Sequence, residues 1–168
     1  HMNYATLGLF SNTPEGVGGA LLLMVSHGLV SSGLFLCVGF LYDRYGSRLL
    51  RHYGGLAQLM PLYASLLLLL LLANLSLPGT FSFIPEFLVL LGGFGVNTFV
   101  AFGATAGVIL SAAYSIWLFN RLCFGPLSPA IGAYGDLNGR ELALLLPLGG
   151  LVVAFGLFPA PLLAPFQL

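Results

Sequence analysis

The chain contains no lysine, and only 6% of its 168 residues are charged. A water-soluble domain of this size carries about a quarter charged residues. The shortfall leaves too little charge to solvate a surface, so hydrocarbon is the expected solvent. The cations are Arg44, Arg48, Arg51, Arg121 and Arg140, balanced by Glu15, Asp43, Glu86, Asp136 and Glu141. Zero net charge without a basic tract argues against a nucleic-acid partner. Cysteine is almost absent too. Cys37 and Cys123 lie far apart without metal-ligand spacing and read as apolar fillers, not as a disulfide framework. No metal cluster, nucleophile–base pair, phosphate-binding loop or dinucleotide fingerprint occurs, so no catalytic or metal-ligating residue is assigned. The start lacks a basic n-region and does not read as a secretory signal. His1 ahead of Met2 reads as a cloning scar or as the edge of a longer protein.

What the chain does have is apolar length. Residues 1–11 read as the end of a helix, stopped by the breaker cluster Asn12-Thr13-Pro14-Glu15-Gly16. Residues 17–42 are long enough to cross about 30 Å of hydrocarbon at about 1.5 Å per residue. Segments 59–95, 99–123 and 141–161 follow, and FGPLSPAIGAYGDLNGR (124–140) is a glycine- and proline-rich loop. The expectation is an all-α membrane protein, one helical region over 1–168 with about five transmembrane segments. Single crossings put loops 43–58 and 124–140 on one side, with every arginine on or beside it. The positive-inside rule assigns that face to the matrix or cytoplasm and reads each arginine as a topology anchor.

The third segment is the anomaly. As one helix, 59–95 would run about 55 Å, too long for a single crossing. Pro78 lacks an amide hydrogen and Gly79 tolerates almost any dihedral angle, so Leu77-Pro78-Gly79-Thr80 is expected to break it. Pro85 then suits the first turn of a new helix. The reading is a half-helix over 59–76, unwound backbone over 77–83 and a second half over 85–95. Unwound backbone at membrane depth survives only when buried in protein or lining a wet cavity, and it recurs at ion sites in transporters.

Glu86 falls in the first turn of the second half-helix. There the helix dipole favours the carboxylate while desolvation favours the neutral acid, opposed effects that suit a proton relay. The plainer reading, a capping acid, carries less weight inside an apolar stretch, where acids are costly and functional. His27, mid-segment in VSHGLVSSG, is either a proton carrier or a helix-contact residue bonded to a neighbour. Ser26, Ser31, Ser32, Ser111, Tyr114 and Ser115 suit holding waters or bonding across helices, the second being the expectation, and Asn74 and Ser76 are expected to satisfy backbone groups freed at the break. Gly18-Gly19 and Gly103-x-x-x-Gly107 suit close helix packing. Glu15, in an expected surface turn, and His52 receive no chemical role.

The blocks HMNYATLGLFS, LLMVSHGLVSSGLFLCVGFLYDR, YGGL, ANLSLPGTFSFIPEF, SAAYSIWLFNRLCFG and DLNGRE span nearly the whole chain. In that order they resemble the antiporter-like, proton-pumping membrane subunits of respiratory NADH:ubiquinone oxidoreductase, complex I. The resemblance implies a fourteen-helix fold with two inverted repeats, each holding a broken helix, of which this chain would be the C-terminal part. It implies that Glu86 is a terminal proton-exchange site and that His27 and His1 are relay residues. Pro85 departs from the glycine the family places before its glutamate, which implies a firmer helix start.

The family's first broken helix, its glutamate–lysine pair and its central lysine have no counterpart here. The implied partners are therefore other membrane-arm subunits of complex I and a polypeptide carrying the N-terminal helices and lysines, together with membrane lipid. No cofactor is expected in this chain, a bound lipid aside; NADH, FMN, iron–sulfur clusters and ubiquinone would belong to partner subunits. The implied location is the mitochondrial inner membrane, with a bacterial plasma membrane as the alternative. A cation/proton antiporter subunit and a structural membrane anchor are the competing readings.

Overall fold

The computed structural model describes residues 1–128 and 135–164; the part of the expected loop at 129–134 lies outside them. The described residues form helices and connecting loops: α1 (Met2–Ser11), α2 (Pro14–Tyr45), α3 (Leu56–Leu59), α4 (Pro61–Asn74), α5 (Phe83–Val96), α6 (Thr98–Cys123), α7 (Gly139–Leu157) and α8 (Ala160–Leu163). A 3-10 turn covers Leu50–His52. Three helices, α2, α6 and α7, are long and apolar enough to cross a membrane. The two shorter apolar helices, α4 and α5, have 14 residues each and flank the broken region. Each half-helix runs about 21 Å, less than a full hydrocarbon thickness.

Local chemistry sets the helix ends. The Thr13 hydroxyl accepts the Gly16 amide at 3.1 Å, and Pro14 fills the first helical position of α2. The expected breaker cluster 12–16 therefore shrinks to Asn12 and Thr13, and Glu15 belongs to the first turn of α2. Gly46, at φ 63°, closes α2 with its amide on the Tyr42 carbonyl. The Asn97 side chain accepts the Phe99 and Val100 amides at 3.1 and 3.2 Å to open α6. Glu141 accepts the Asn138 amide at 2.8 Å, one arm of a capping box for α7.

The break also differs in detail. The first half-helix ends at Asn74, not at 76, and is itself interrupted at Met60; the second begins at Phe83. Unwound backbone thus covers 75–82, with Ser76 and Gly79 in left-handed conformations at φ 58° and 95°. Met60 bridges a short α3 and the Pro61 start of α4, because proline cannot continue the preceding turn.

Helix α5 packs against both α1 and α2. Its contact with α2 is nearly backbone on backbone. A Cβ at Gly92 would lie 2.8 Å from the Gly16 Cα, and one at Gly19 would lie 2.9 Å from the Pro85 carbonyl oxygen. Without a hydrophobic drive between helices in lipid, such close approach is how they associate. Gly107 faces the Tyr4 hydroxyl, whereas Gly103 faces open space, so only half of the expected Gly103/Gly107 contact exists.

The largest core gathers Cys37, Tyr63, Leu67, Leu70 and Phe119 from α2, α4 and α6. Both cysteines are buried and free. At the end carrying the arginines, the two long loops meet: the Gly55 amide donates to the Phe124 carbonyl at 3.1 Å.

Candidate functional site

Glu86 sits in the first turn of α5 and is only 7% exposed. The turn before it is held by its amide on the Ser82 carbonyl at 3.3 Å. Its carboxylate accepts a hydrogen bond from the Ser76 hydroxyl across the break. Ser76 and Asn74 were expected to satisfy backbone groups freed there. Instead Ser76 serves the acid, and the Asn74 side-chain amide reaches the Tyr114 hydroxyl on α6 at 3.4 Å. The left-handed backbone at Ser76, uncommon outside glycine and asparagine, is the kind of conformation found where side-chain direction matters.

Beside Glu86 lies a cavity of about 530 Å³, lined among others by His1, Tyr4, Asn74, Glu86, Ser111 and Tyr114. His1 and Glu86 therefore share one space. His27 does not line it, but its ring stacks on that of His1, with centroids 5.2 Å apart and planes 18° apart. The Nδ1 of His27 is buried and has no hydrogen-bond partner, nor has the Ser111 hydroxyl in the cavity wall. Buried polar atoms of this kind are where ordered water binds. The Tyr4 hydroxyl donates to the Ala104 carbonyl at 2.6 Å, fastening α1 to α6 across the cavity.

The remaining polar expectations divide. Ser26, Ser31 and Ser32 do not bond across helices. They donate to the Leu23, His27 and Leu29 carbonyls of their own helix, because a serine hydroxyl reaches the carbonyl three or four residues back. Ser115 is buried without a partner, and Tyr114 makes the one interhelical bond of its group. His52 pairs with the Ser47 hydroxyl at 2.9 Å.

Part of the backbone at the break is satisfied within protein. The Thr80 amide and hydroxyl both donate to the Leu77 carbonyl, at 3.0 and 2.7 Å, closing a tight turn around Pro78 and Gly79. The Phe81 amide donates to the Val152 carbonyl of α7 at 2.9 Å.

A second polar cluster escaped the sequence reading, which took Arg44 for an anchor alone. Arg44 forms a two-pronged pair with Glu141, at 2.8 and 2.6 Å, with side chains 10% and 8% exposed. Arg44 also donates to the Asp136 carbonyl at 3.3 Å. The Asp136 carboxylate accepts the Leu62 and Tyr63 amides at 2.8 and 3.1 Å, capping α4. One charged cluster thus ties together the end of α2 and the starts of α4 and α7. The partners lie 97 and about 74 residues apart, a separation with no local signature.

A family model described as NADH:quinone oxidoreductase/Mrp antiporter, transmembrane, matches residues 1–112. The chain belongs to this family. Within the NADH:quinone oxidoreductase/Mrp antiporter family it is 53% identical over 160 residues to NADH-ubiquinone oxidoreductase chain 4 of Arabidopsis thaliana, covering 95% of this chain and 32% of that protein. Subunit M of the NADH-quinone oxidoreductase of Rhodobacter capsulatus is 47% identical over 161 residues, covering 95% of this chain and 31% of the relative. The structure titled respiratory complex I from Thermus thermophilus with bound NADH contains a similar chain. Its TM-score is 0.89 at 39% identity, over 97% of this chain and 34% of that one. The chain thus spans about a third of the length of the relatives it matches. The family expected from the residue blocks is the family found.

Proposed function

We propose that this chain supplies the C-terminal helices of a proton-translocating membrane subunit of NADH:ubiquinone oxidoreductase, of the chain 4 or subunit M type. Protons pass by way of His27, His1 and Glu86, and electron transfer in other subunits drives them. The observation that carries this reading is the cavity that unites His1 with a buried Glu86 at a helix break. A buried carboxyl wetted from one side, with a hydroxyl donor across the break, can take up and release a proton; buried in lipid alone, it could not. His27 stands beside this line, its ring stacked on that of His1, and its unpartnered Nδ1 offers an ordered water the site that a hydrogen-bonded path to His1 requires.

The remaining helices, including the lysine-bearing ones, come from the rest of the same protein or from a companion polypeptide. NADH, FMN, iron–sulfur clusters and ubiquinone are held by partner subunits, and lipid surrounds this one. The mitochondrial inner membrane is the location that the plant and algal relatives support.

The test is Glu86→Gln in the assembled complex. Proton-coupled quinone reduction should fall about tenfold or more at normal assembly. Unchanged pumping at normal assembly would leave only the membrane-anchor reading. The family description also names Mrp antiporters, which favours a second reading in which Glu86 exchanges protons for a cation. Sodium-dependent turnover that vanishes in Glu86→Gln would select it.

A further inference from the structure

We infer that α7 is a brace for the broken helix and that Gly156 positions Glu86 for proton exchange. This rests on the relay reading above and adds a part to it. The unwound residues 75–82 need partners for their backbone, and α7 supplies one directly: the Phe81 amide bonds the Val152 carbonyl in the C-terminal third of that helix. A carbonyl has two lone pairs, so Val152 can accept from the break as well as within its own helix.

The approach is close enough to exclude any side chain. A Cβ at Gly156 would collide with the Gly79 carbonyl oxygen and lie 2.6 Å from the Thr80 Cα. Backbone atoms cannot swing aside as a flexible side-chain tip can. Next to the glycine, the Phe155 ring packs on Phe81, with centroids 5.4 Å apart, and Phe81 is 1% exposed. Phe81 lies five residues before Glu86, and the only residue between it and α5 is Ser82, whose carbonyl receives the Glu86 amide. Displacing Gly79 and Thr80 therefore moves both sides of the Ser76–Glu86 bond relative to one another. The last long helix sets the geometry at the acid through the unwound backbone.

The experiment compares Gly156→Ala with Gly150→Ala in the assembled complex. Gly150 lies on the same helix with nothing within 4 Å of its Cβ position, so it controls for helix propensity alone. Gly156→Ala is expected to shift the pH midpoint of proton-coupled turnover by about half a unit or more, with uncoupled electron transfer retained and Gly150→Ala unchanged. Identical pH profiles for the two variants would overturn the brace. Should Gly156→Ala fail to assemble, Phe155→Leu thins the same contact without a clash. It must then shift the midpoint, and an unshifted profile refutes the proposal. If Glu86→Gln pumps normally, the relay reading falls; if it does not and the α7 variants are silent, only the brace falls.

Discussion

The Ser76 hydroxyl donates to the Glu86 carboxylate across a gap in the helix, ten residues along the chain. It joins the two half-helices through the one titratable group at the break. A conventional helix would place residues ten apart about 15 Å away along its axis. Only unwound backbone, with Ser76 at φ 58° and Gly79 at φ 95°, folds the hydroxyl back onto the acid.

Ser76→Ala should therefore impair the proposed relay without unfolding the chain. A hydrogen bond to a charged group contributes about 1.5–3 kcal/mol, so a drop of about tenfold to a hundredfold in proton-coupled turnover is expected. Ser32→Ala is the control, since Ser32 bonds only its own helix. Equal rates in both variants would remove Ser76 from the mechanism.

Glu141→Gln should be costly and partly reversible. It leaves the Arg44 guanidinium, 10% exposed, without its countercharge. Breaking one partner of a buried pair costs about 3–5 kcal/mol, expected here as a lowered thermal midpoint and poor assembly. The double variant Arg44→Met/Glu141→Leu should recover part of the loss, because an apolar pair needs no countercharge. The recovery stays incomplete, since Glu141 also caps the Asn138 amide. A double variant no better than the single one would show that the pair is not the source of the loss.

Asp136→Ala should destabilise α4 by about 1–2 kcal/mol. Two amides at the α4 start, those of Leu62 and Tyr63, rely on this carboxylate, and Met60 gives no side-chain cap. Asp136→Asn keeps an acceptor and should cost less. Thermal unfolding of the purified complex reads both, and equal midpoints for the two variants would exclude capping as the role.

Much of this architecture is local and therefore readable in advance. Apolar length marks α2, α6 and α7, since hydrocarbon thickness is a property of the solvent and needs no tertiary knowledge. Pro78-Gly79 marks the break for an equally local reason, a missing donor beside a permissive backbone. Boundaries were less legible. Asn12 and Thr13 alone interrupt α1 and α2, because Pro14 starts a helix as readily as it stops one. The unwound region starts two residues early, at Leu75, where side chains favourable to a helix yield to the tertiary demand that Ser76 face Glu86.

Hydropathy and breaker residues were enough to determine that this chain is an all-α membrane protein and which of its apolar segments is interrupted. These features act over a few residues, on the scale of the solvent itself. Tertiary structure alone decided the partners: Ser76 for Glu86, Glu141 for Arg44, Val152 for Phe81, and His1 for His27. Hydrogen bonds and ion pairs form over about 3 Å, so groups up to 100 residues apart become partners only once the helices have packed.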